Sequence, residues 1–464
     1  LGCPGERAVT KPENTSPAVE AADPIFDYEM MIQEDKVHQR LYTEPGIFRE
    51  ELTRIFGAVW VYLAHESQVP EKDNFVTSRM GLRPLIIVRD SQGDIRALYN
   101  RCTHRGSTIC RQGSGSAKSF QCPYHGWSYF NSGKLSGVPW PEGYACDFSD
   151  AKYNLAQVPR VASFRGFIFG TLNLDAPSLE DYLGPVREPI NDWLDRHPGG
   201  KVKFSSANRL KYMGNWKLAY DNSADGYHVL FSHRSLLAME NRHHEDEQKG
   251  MSFYKGSPDG APMYVKYYPN GHHFKDKRPN IENRPGALWE IEGTFPGMEH
   301  YEALFRERYG VKADRALDLA SSEPVNINVF PNLHILGNHV QVTQPVSYNE
   351  TDTTWYGTAV VDDDGELSGA VDDINTIRMR TQEAFPNFGE VDDLANFEQI
   401  QAGLAAEEDE WVYMHRGLGI KDRITEEDGV FTAPATDEVF MREYMKVYKL
   451  LMTSTPNIAI TREV

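Results

Sequence analysis

The chain has 464 residues, 25% of them charged, and a formal net charge of −19 at pH 7. Such a length leads us to expect two domains with sizeable cores, and such a charge argues against nucleic acid as a partner. No apolar run approaches the ~20 residues of a membrane helix, the opening Leu1-Gly2-Cys3-Pro4 lacks the apolar core of a signal peptide, and five cysteines make no disulfide framework, which points to a reducing cytoplasm.

Residues 1 to about 24 are polar and rich in Pro, Glu and Ala, and read as a poorly ordered tail. A helical stretch follows to about Phe56. Short strands come next at Val59–Ala64, Leu85–Val88 and Ile95–Tyr99, the last two joined by a Ser91-Gln92-Gly93 turn. On the loops beyond them lie Cys102-Thr-His104 and, after seventeen residues, Cys122-Pro-Tyr-His125. Each hook offers one thiolate and one imidazole. A [2Fe–2S] cluster of the Rieske type takes that set, two Cys on one iron and two His on the other. Structural zinc also takes Cys₂His₂, but zinc fingers pair Cys with Cys and His with His, whereas both hooks here are mixed. Small residues beside the ligands, Gly106 and Gly126, let backbone N–H groups approach the cluster sulfurs. From Arg101 to Pro141 there are five Lys or Arg and no Asp or Glu, a basic collar suited to guiding an acidic ferredoxin. Asn131-Ser132-Gly133 marks a hairpin, and Phe167-Ile168-Phe169-Gly170 closes a small all-β module over about 57–175.

Past that module helix and strand signals mix, as in an α+β domain. Strand candidates are Val325–Phe330, Leu333–Leu336, His339–Val342 and Trp355–Val361. Residues 241–297, rich in charge, Gly and Pro, read as long loops. The last helix is expected over Val439–Met452, capped by Thr436. Within Asn215-Trp216-Lys217-Leu218-Ala219-Tyr220-Asp221-Asn222-Ser223-Ala224-Asp225-Gly226-Tyr227-His228, Asp225 and His228 share a helical face at i, i+3. A carboxylate behind a metal-bound imidazole fixes its tautomer and orientation. His233 lies five residues beyond His228, and on an ideal helix the two would point about 140° apart. One metal can hold both only if the helix distorts or ends between them.

These motifs, C-T-H-R-G with C-P-Y-H-G-W and then D-G-Y-H, resemble the large (α) subunits of Rieske non-haem iron ring-hydroxylating oxygenases, in the version acting on benzoate-, toluate- or phthalate-like acids. Respiratory Rieske proteins carry an extra Cys near each hook; here Arg105-Gly106 and Tyr124 occupy those surroundings, and Cys110 has no evident partner. The resemblance implies an α+β fold: a small all-β Rieske domain over 57–175, and a larger catalytic domain over 176–464 with an antiparallel sheet surrounded by helices (helix-grip-like). Residues 1–56 would then be a tail and helices packing on the catalytic domain. It implies two cofactors, a Rieske [2Fe–2S] cluster on Cys102, His104, Cys122 and His125, and a mononuclear Fe(II) on His228 and His233. The third ligand follows from D-D-x-x-x-[FW]-x-x-x-Q, which falls on Asp393, with Asp392 the runner-up, at the start of a helix carrying Leu394, Phe397, Ile400 and Leu404. Asp225 becomes the bridge between Rieske and mononuclear sites of adjacent subunits, hence a head-to-tail α3 or α3β3 assembly with a small β subunit. The implied reaction uses O₂ and electrons from a ferredoxin or reductase to cis-dihydroxylate an aromatic ring. A family monooxygenase, hydroxylating salicylate-like rings or demethylating, a hydrocarbon dioxygenase and a simple electron carrier are the alternatives. For an aromatic acid the carboxylate needs an anchor, with His334, His339 or Arg416 as candidates and Asn222 as a possible wall.

Overall fold

Two units make up the computed structural model, which describes residues 25–462 apart from 196, 198, 235–262, 280–297, 321–324, 362–383 and 407–408. Among these, one unit comprises residues 50–179 and 454–462, the other residues 25–49 and 180–453. The expected poorly ordered tail lies outside the described residues. Residues 454–462, expected in the catalytic domain, join the first unit because Ile458 and Thr461 form isolated β-bridges with Asn173 and Gln157.

The first unit is built from short antiparallel strands. One sheet runs Ile95–Tyr99, Arg83–Arg89, Asn74–Met80, Ser114–Ser116, and a second runs Arg160–Phe164, Phe167–Thr171, Val61–His65. The expected strands are all present, Ile95–Tyr99 with the expected bounds and the others shifted by one or two residues at their ends. The turn after Arg89 is made by Asp90, whose Oδ1 accepts from the backbone N–H of Gln92, Gly93 and Asp94 at 2.9, 3.0 and 3.0 Å, an Asx-type device. A third sheet, Ser119–Gln121, Ser128–Phe130, Leu135–Gly137, contains the hairpin expected at Asn131-Ser132-Gly133. Ile86, Val88, Leu98, Phe120, Trp127 and Tyr129 form one buried core, and Cys102 and Cys122 belong to it.

In the second unit nine described strands make one antiparallel sheet. Its order is Val202–Tyr212, Glu350–Val360, His339–Ser347, Leu333–Leu336, Val325–Val329, His273–Asp276, Tyr264–Tyr267, Val430–Pro434, Thr425–Glu427. Helix Val439–Thr453 buries Val439, Phe440, Tyr444, Met445, Tyr448 and Met452, a stripe of helical period. Two expectations are corrected. Within 241–297, read as loops, Tyr264–Tyr267 and His273–Asp276 are strands; every residue of His273–Asp276 is buried, so the alternation that betrays a half-exposed strand is missing. The buried carboxylate is paired, Asp276 with Arg278 at 2.8 Å and Lys266 at 3.2 Å. Residues 241–262 and 280–297 lie outside the described set. The last helix is capped by Asp437, whose Oδ1 accepts from Val439 N–H at 3.0 Å; Thr436 Oγ1 instead accepts from Arg416 and Arg423 at 3.3 and 3.4 Å.

Candidate metal centres

The two Cys/His hooks are the same turn made twice. Gly106 N–H donates to Cys102 C=O at 2.9 Å and Gly126 N–H to Cys122 C=O at 3.0 Å, while Cys102 and Cys122 N–H donate to Ser107 and Trp127 C=O at 2.8 Å each. The closing glycines sit at φ +78° and +74°, a left-handed geometry that strains any residue with a Cβ. A Cβ on Gly126 would also meet Pro139 Cγ at 2.9 Å. Both thiols are buried, at 1% and 2% exposure, and interact with each other. The imidazoles lie farther out, with ring centroids 4.7 Å apart, and His104 stacks on Trp127 at 4.8 Å. Burial pushes the Cys102 thiol up despite its Tyr129 hydroxyl contact at 3.3 Å. Burial acts the same way on Cys122, but the N–H groups of Tyr124 and His125 hold it below the usual thiol range. His104 Nδ1 is buried without a hydrogen bond. Two adjacent thiols, one held below the usual thiol range, beside two converging imidazoles with an unused nitrogen fit a [2Fe–2S] group of the Rieske type.

In the second unit, helix Lys217–Asn222 ends before Asp225, and a single turn, Val229–Ser232, separates His228 from His233. His233 leaves the helix at φ −92°, ψ 29°. The interruption that the five-residue spacing demanded is therefore present, and the rings converge with centroids 5.3 Å apart. Nε2 of His228 and Nε2 of His233 lie 3.6 and 3.3 Å from the same oxygen, Oδ1 of Asp393. That oxygen is buried and accepts no hydrogen bond of good geometry. The three ligand atoms lie within 4.8 Å of one another, a 2-His-1-carboxylate set that fits a mononuclear iron with open positions. Asp392 approaches the opposite edge of the ring, 3.7 Å from His233 Nδ1.

Asp225 Oδ2 accepts from His228 Nδ1 at 3.0 Å and its Oδ1 from Tyr227 N–H at 2.6 Å. Burial would raise its carboxyl, but His228 and the Tyr227 N–H hold it below the usual range. For His233, burial acts downward and the Asp393 carboxylate outweighs it, so the imidazole titrates above its ordinary value. The helix carrying Asp393 is Ala384–Gly403, 20 residues long, so Asp393 stands in its middle rather than at its start. Pro386 concealed the earlier turns, yet it sits in the first turn, where a missing N–H costs no helical bond. Leu394 and Phe397 are buried as expected, while Ile400 is 45% exposed.

Sequence reasoning missed Glu390, one turn before Asp393. It is 4% exposed, accepts from Gln341 Nε2 at 2.8 Å, and burial pushes its carboxyl up to about 8. A glutamate two residues before an acidic pair was the only signal. Of the anchor candidates, His334 has both nitrogens engaged, by Asn328 Oδ1 at 2.7 Å and Thr343 Oγ1 at 3.1 Å. His339 packs edge-on to Trp355 with centroids 5.6 Å apart. Arg416 covers Tyr227 at 4.2 Å and donates to Thr436 C=O at 2.8 Å.

A small β unit with paired Cys/His hooks, and an antiparallel α+β unit with a facial triad, define an iron-dependent oxidoreductase. Residues 59–159 match the Rieske [2Fe-2S] domain family and residues 201–453 the catalytic domain of the ring hydroxylating alpha subunit family. The chain is 33% identical over 403 residues to the toluate 1,2-dioxygenase subunit alpha of Pseudomonas putida, covering 82% of this chain and 83% of that one. It is 32% identical over 391 residues to the 2-halobenzoate 1,2-dioxygenase large subunit of Burkholderia cepacia, 81% and 79% of the two chains. A naphthalene 1,2-dioxygenase of Rhodococcus sp. bound to indole has the same fold, with a TM-score of 0.71 at 25% identity, over 90% of this chain and 94% of that one. The chain belongs to the Rieske ring-hydroxylating α subunits, O₂-using oxidoreductases that carry a Rieske [2Fe–2S] cluster and a mononuclear iron and work with partner proteins. Among the described residues no helix is long and apolar enough to cross a membrane.

Proposed function

We propose that this α subunit cis-dihydroxylates an aromatic carboxylate of the benzoate, phthalate or terephthalate class. Two relatives that cover about four-fifths of the chain bear the names of toluate and 2-halobenzoate dioxygenases, and both substrates are aromatic acids. The observation that carries the reading is the convergence of His228, His233 and Asp393 with Asp225 behind His228. In this assignment residues 57–175 form the Rieske domain and the catalytic domain starts at 176. Cys102 and Cys122 would hold one iron of the cluster and His104 and His125 the other, and His228, His233 and Asp393 would hold the mononuclear iron.

When bound, the mononuclear iron supplies open positions for O₂ and the redox capacity for its reduction. Asp225 accepts a hydrogen bond from His228 Nδ1–H, which leaves the lone pair on Nε2, the face toward the metal position. Electrons arrive singly from a ferredoxin or reductase and pass from the partner subunit's His125 through Asp225 to His228. A head-to-tail α3 ring, alone or as α3β3 with a small β subunit, brings those residues together. The exposed Tyr227 and Phe231, 46% and 71% exposed beside Asp225, form the kind of aromatic patch that an interface covers.

The test is turnover with a surrogate ferredoxin and reductase against a panel of aromatic acids and hydrocarbons, under isotopically labelled O₂. A cis-diol of an aromatic acid carrying both labelled atoms is the expected product. A single labelled atom would make the enzyme a monooxygenase, and diols from hydrocarbons alone would remove the acid from the reading.

A further inference from the structure

One face of the catalytic sheet carries a row of buried polar side chains. The register sets His273 opposite Asn328, Asn328 opposite His334, and His334 opposite Gln341, and residues directly opposed across antiparallel strands share a face. Both ends of this row reach the iron ligands' own elements. Gln341 Nε2 donates to Glu390, one turn from Asp393. Lys275, two residues along from His273 and so on the same face, is 5% exposed and approaches Asp225 C=O through Nζ at 3.4 Å.

Between those ends the hydrogen bonding is incomplete. Asn328 Oδ1 accepts from His334 Nδ1 at 2.7 Å, which turns the amide nitrogen the other way, and Asn328 Nδ2 has no partner. Neither ring nitrogen of His273 makes a hydrogen bond of good geometry, its one backbone contact being a looser approach to Gly271 C=O, although both side chains are 0% exposed. Burial keeps His273 neutral, holding it well below the ordinary imidazole range, so it offers one N–H donor. Leaving such groups unmatched is costly, and native proteins do so chiefly where a ligand or water completes them. The surroundings are aromatic: Tyr220 stands edge-on to His273 at 4.6 Å, Phe440 lies at 4.8 Å, and Phe330 packs on Tyr220 at 5.4 Å.

We propose that Asn328 and His273 form the carboxylate-binding end of the substrate site, donating hydrogen bonds to the acid group of an aromatic carboxylate. This rests on the aromatic-acid reading above and adds the residues that select the acid. A carboxylate has only acceptor oxygens, so it matches the Asn328 NH₂ and the His273 N–H, and the Lys275 charge on the same face offsets part of its burial cost. A hydrocarbon of the same shape leaves both donors unmatched, which is the basis for rejecting it.

The experiment measures benzoate affinity by calorimetry, and KM for benzoate and toluene, in the holoenzyme and in Asn328→Leu, Asn328→Asp and His273→Phe. Iron content and cluster absorbance identify correctly assembled variants; Asn328→Asp, nearly isosteric, covers the case where the apolar changes fail to fold. Expected is a loss of about 10-fold or more in benzoate affinity with a matching rise in its KM, that of one hydrogen bond to a charged group, while the KM for toluene stays the same or falls because the donor it left unmatched is gone. Metal-replete variants that bind benzoate as the parent does would overturn the anchor while leaving the aromatic-acid reading intact. A parent enzyme that oxidises toluene and neither binds nor oxidises benzoate would overturn that reading, and the anchor with it.

Discussion

Asp225 serves two neighbours with one carboxylate, one oxygen holding the His228 ring and the other the Tyr227 N–H. Asp225→Asn keeps the size but removes the charge that fixes the imidazole. The expected outcome is a cluster that reduces normally, seen by its absorbance, with product formation down roughly 10–100-fold, the usual cost of losing a ligand's supporting carboxylate. Normal turnover in this variant would sink the electron bridge. Glu390 supports the other ligand by tying the Asp393 helix to the sheet through Gln341. Because burial leaves that carboxyl neutral near pH 7, Glu390→Gln can still accept from Gln341 and should retain iron. Glu390→Leu should bind iron roughly 10-fold or more weakly, measured as iron per chain with the cluster's absorbance unchanged.

At the scale of elements, both metal centres depend on places where regular structure stops. The hooks close on glycines in the left-handed region, and His228 and His233 bracket a helix only four residues long. Gly126→Ala meets both the φ penalty and the Pro139 contact, so it should destabilise the second hook by about 1–3 kcal/mol. The readout is faster bleaching of the cluster absorbance in denaturant, and a cluster as durable as the parent's would contradict this account of the turn. The strand His273–Asp276 shows the opposite situation, a regular element without a regular pattern. All four of its residues are buried, with Asp276 paired to Lys266 of the neighbouring strand, so no local alternation announces it.

For the molecule as a whole, charge and pH give two further expectations. The protein carries −19 overall, yet Arg101, Arg105, Arg111, Lys118 and Lys134 around the cluster hooks are all exposed. An acidic ferredoxin steered to that collar should reduce the cluster at least 10-fold more slowly when salt is raised from about 0.02 to 0.5 M; stopped-flow rates indifferent to salt would remove the collar's role. The buried Glu390 sets a pH trend in metal-depleted protein. Its folded value of about 8 lies above the ~4.3 of an unfolded glutamate, so the folded state keeps a proton the unfolded chain has released. That contribution is complete below ~4.3 and is lost as pH rises towards about 8. Relative to Glu390→Gln, the parent should therefore lose about 1.4 kcal/mol per pH unit across that window, read from denaturant midpoints; parallel pH curves would mean that Glu390 is ionised in the fold.

The hooks were legible from residues alone because a Rieske centre takes its ligands from two short loops, and local spacing encodes a local turn. Asp225, His228 and His233 were nearly as plain, since the twelve residues from Asn222 to His233 hold the helix end, the single turn and the second histidine. The triad's carboxylate was legible only through resemblance. It comes from a helix more than a hundred residues away, and nothing local distinguishes Asp393 from Asp392. Tertiary structure alone settled which of the pair faces both imidazoles, that Glu390 backs the ligand helix, and that Asn328 and His273 stand together with hydrogen bonds unspent. Those facts are properties of strand register and of burial without water, which arise only when distant segments pack, so no periodicity in the chain carries them.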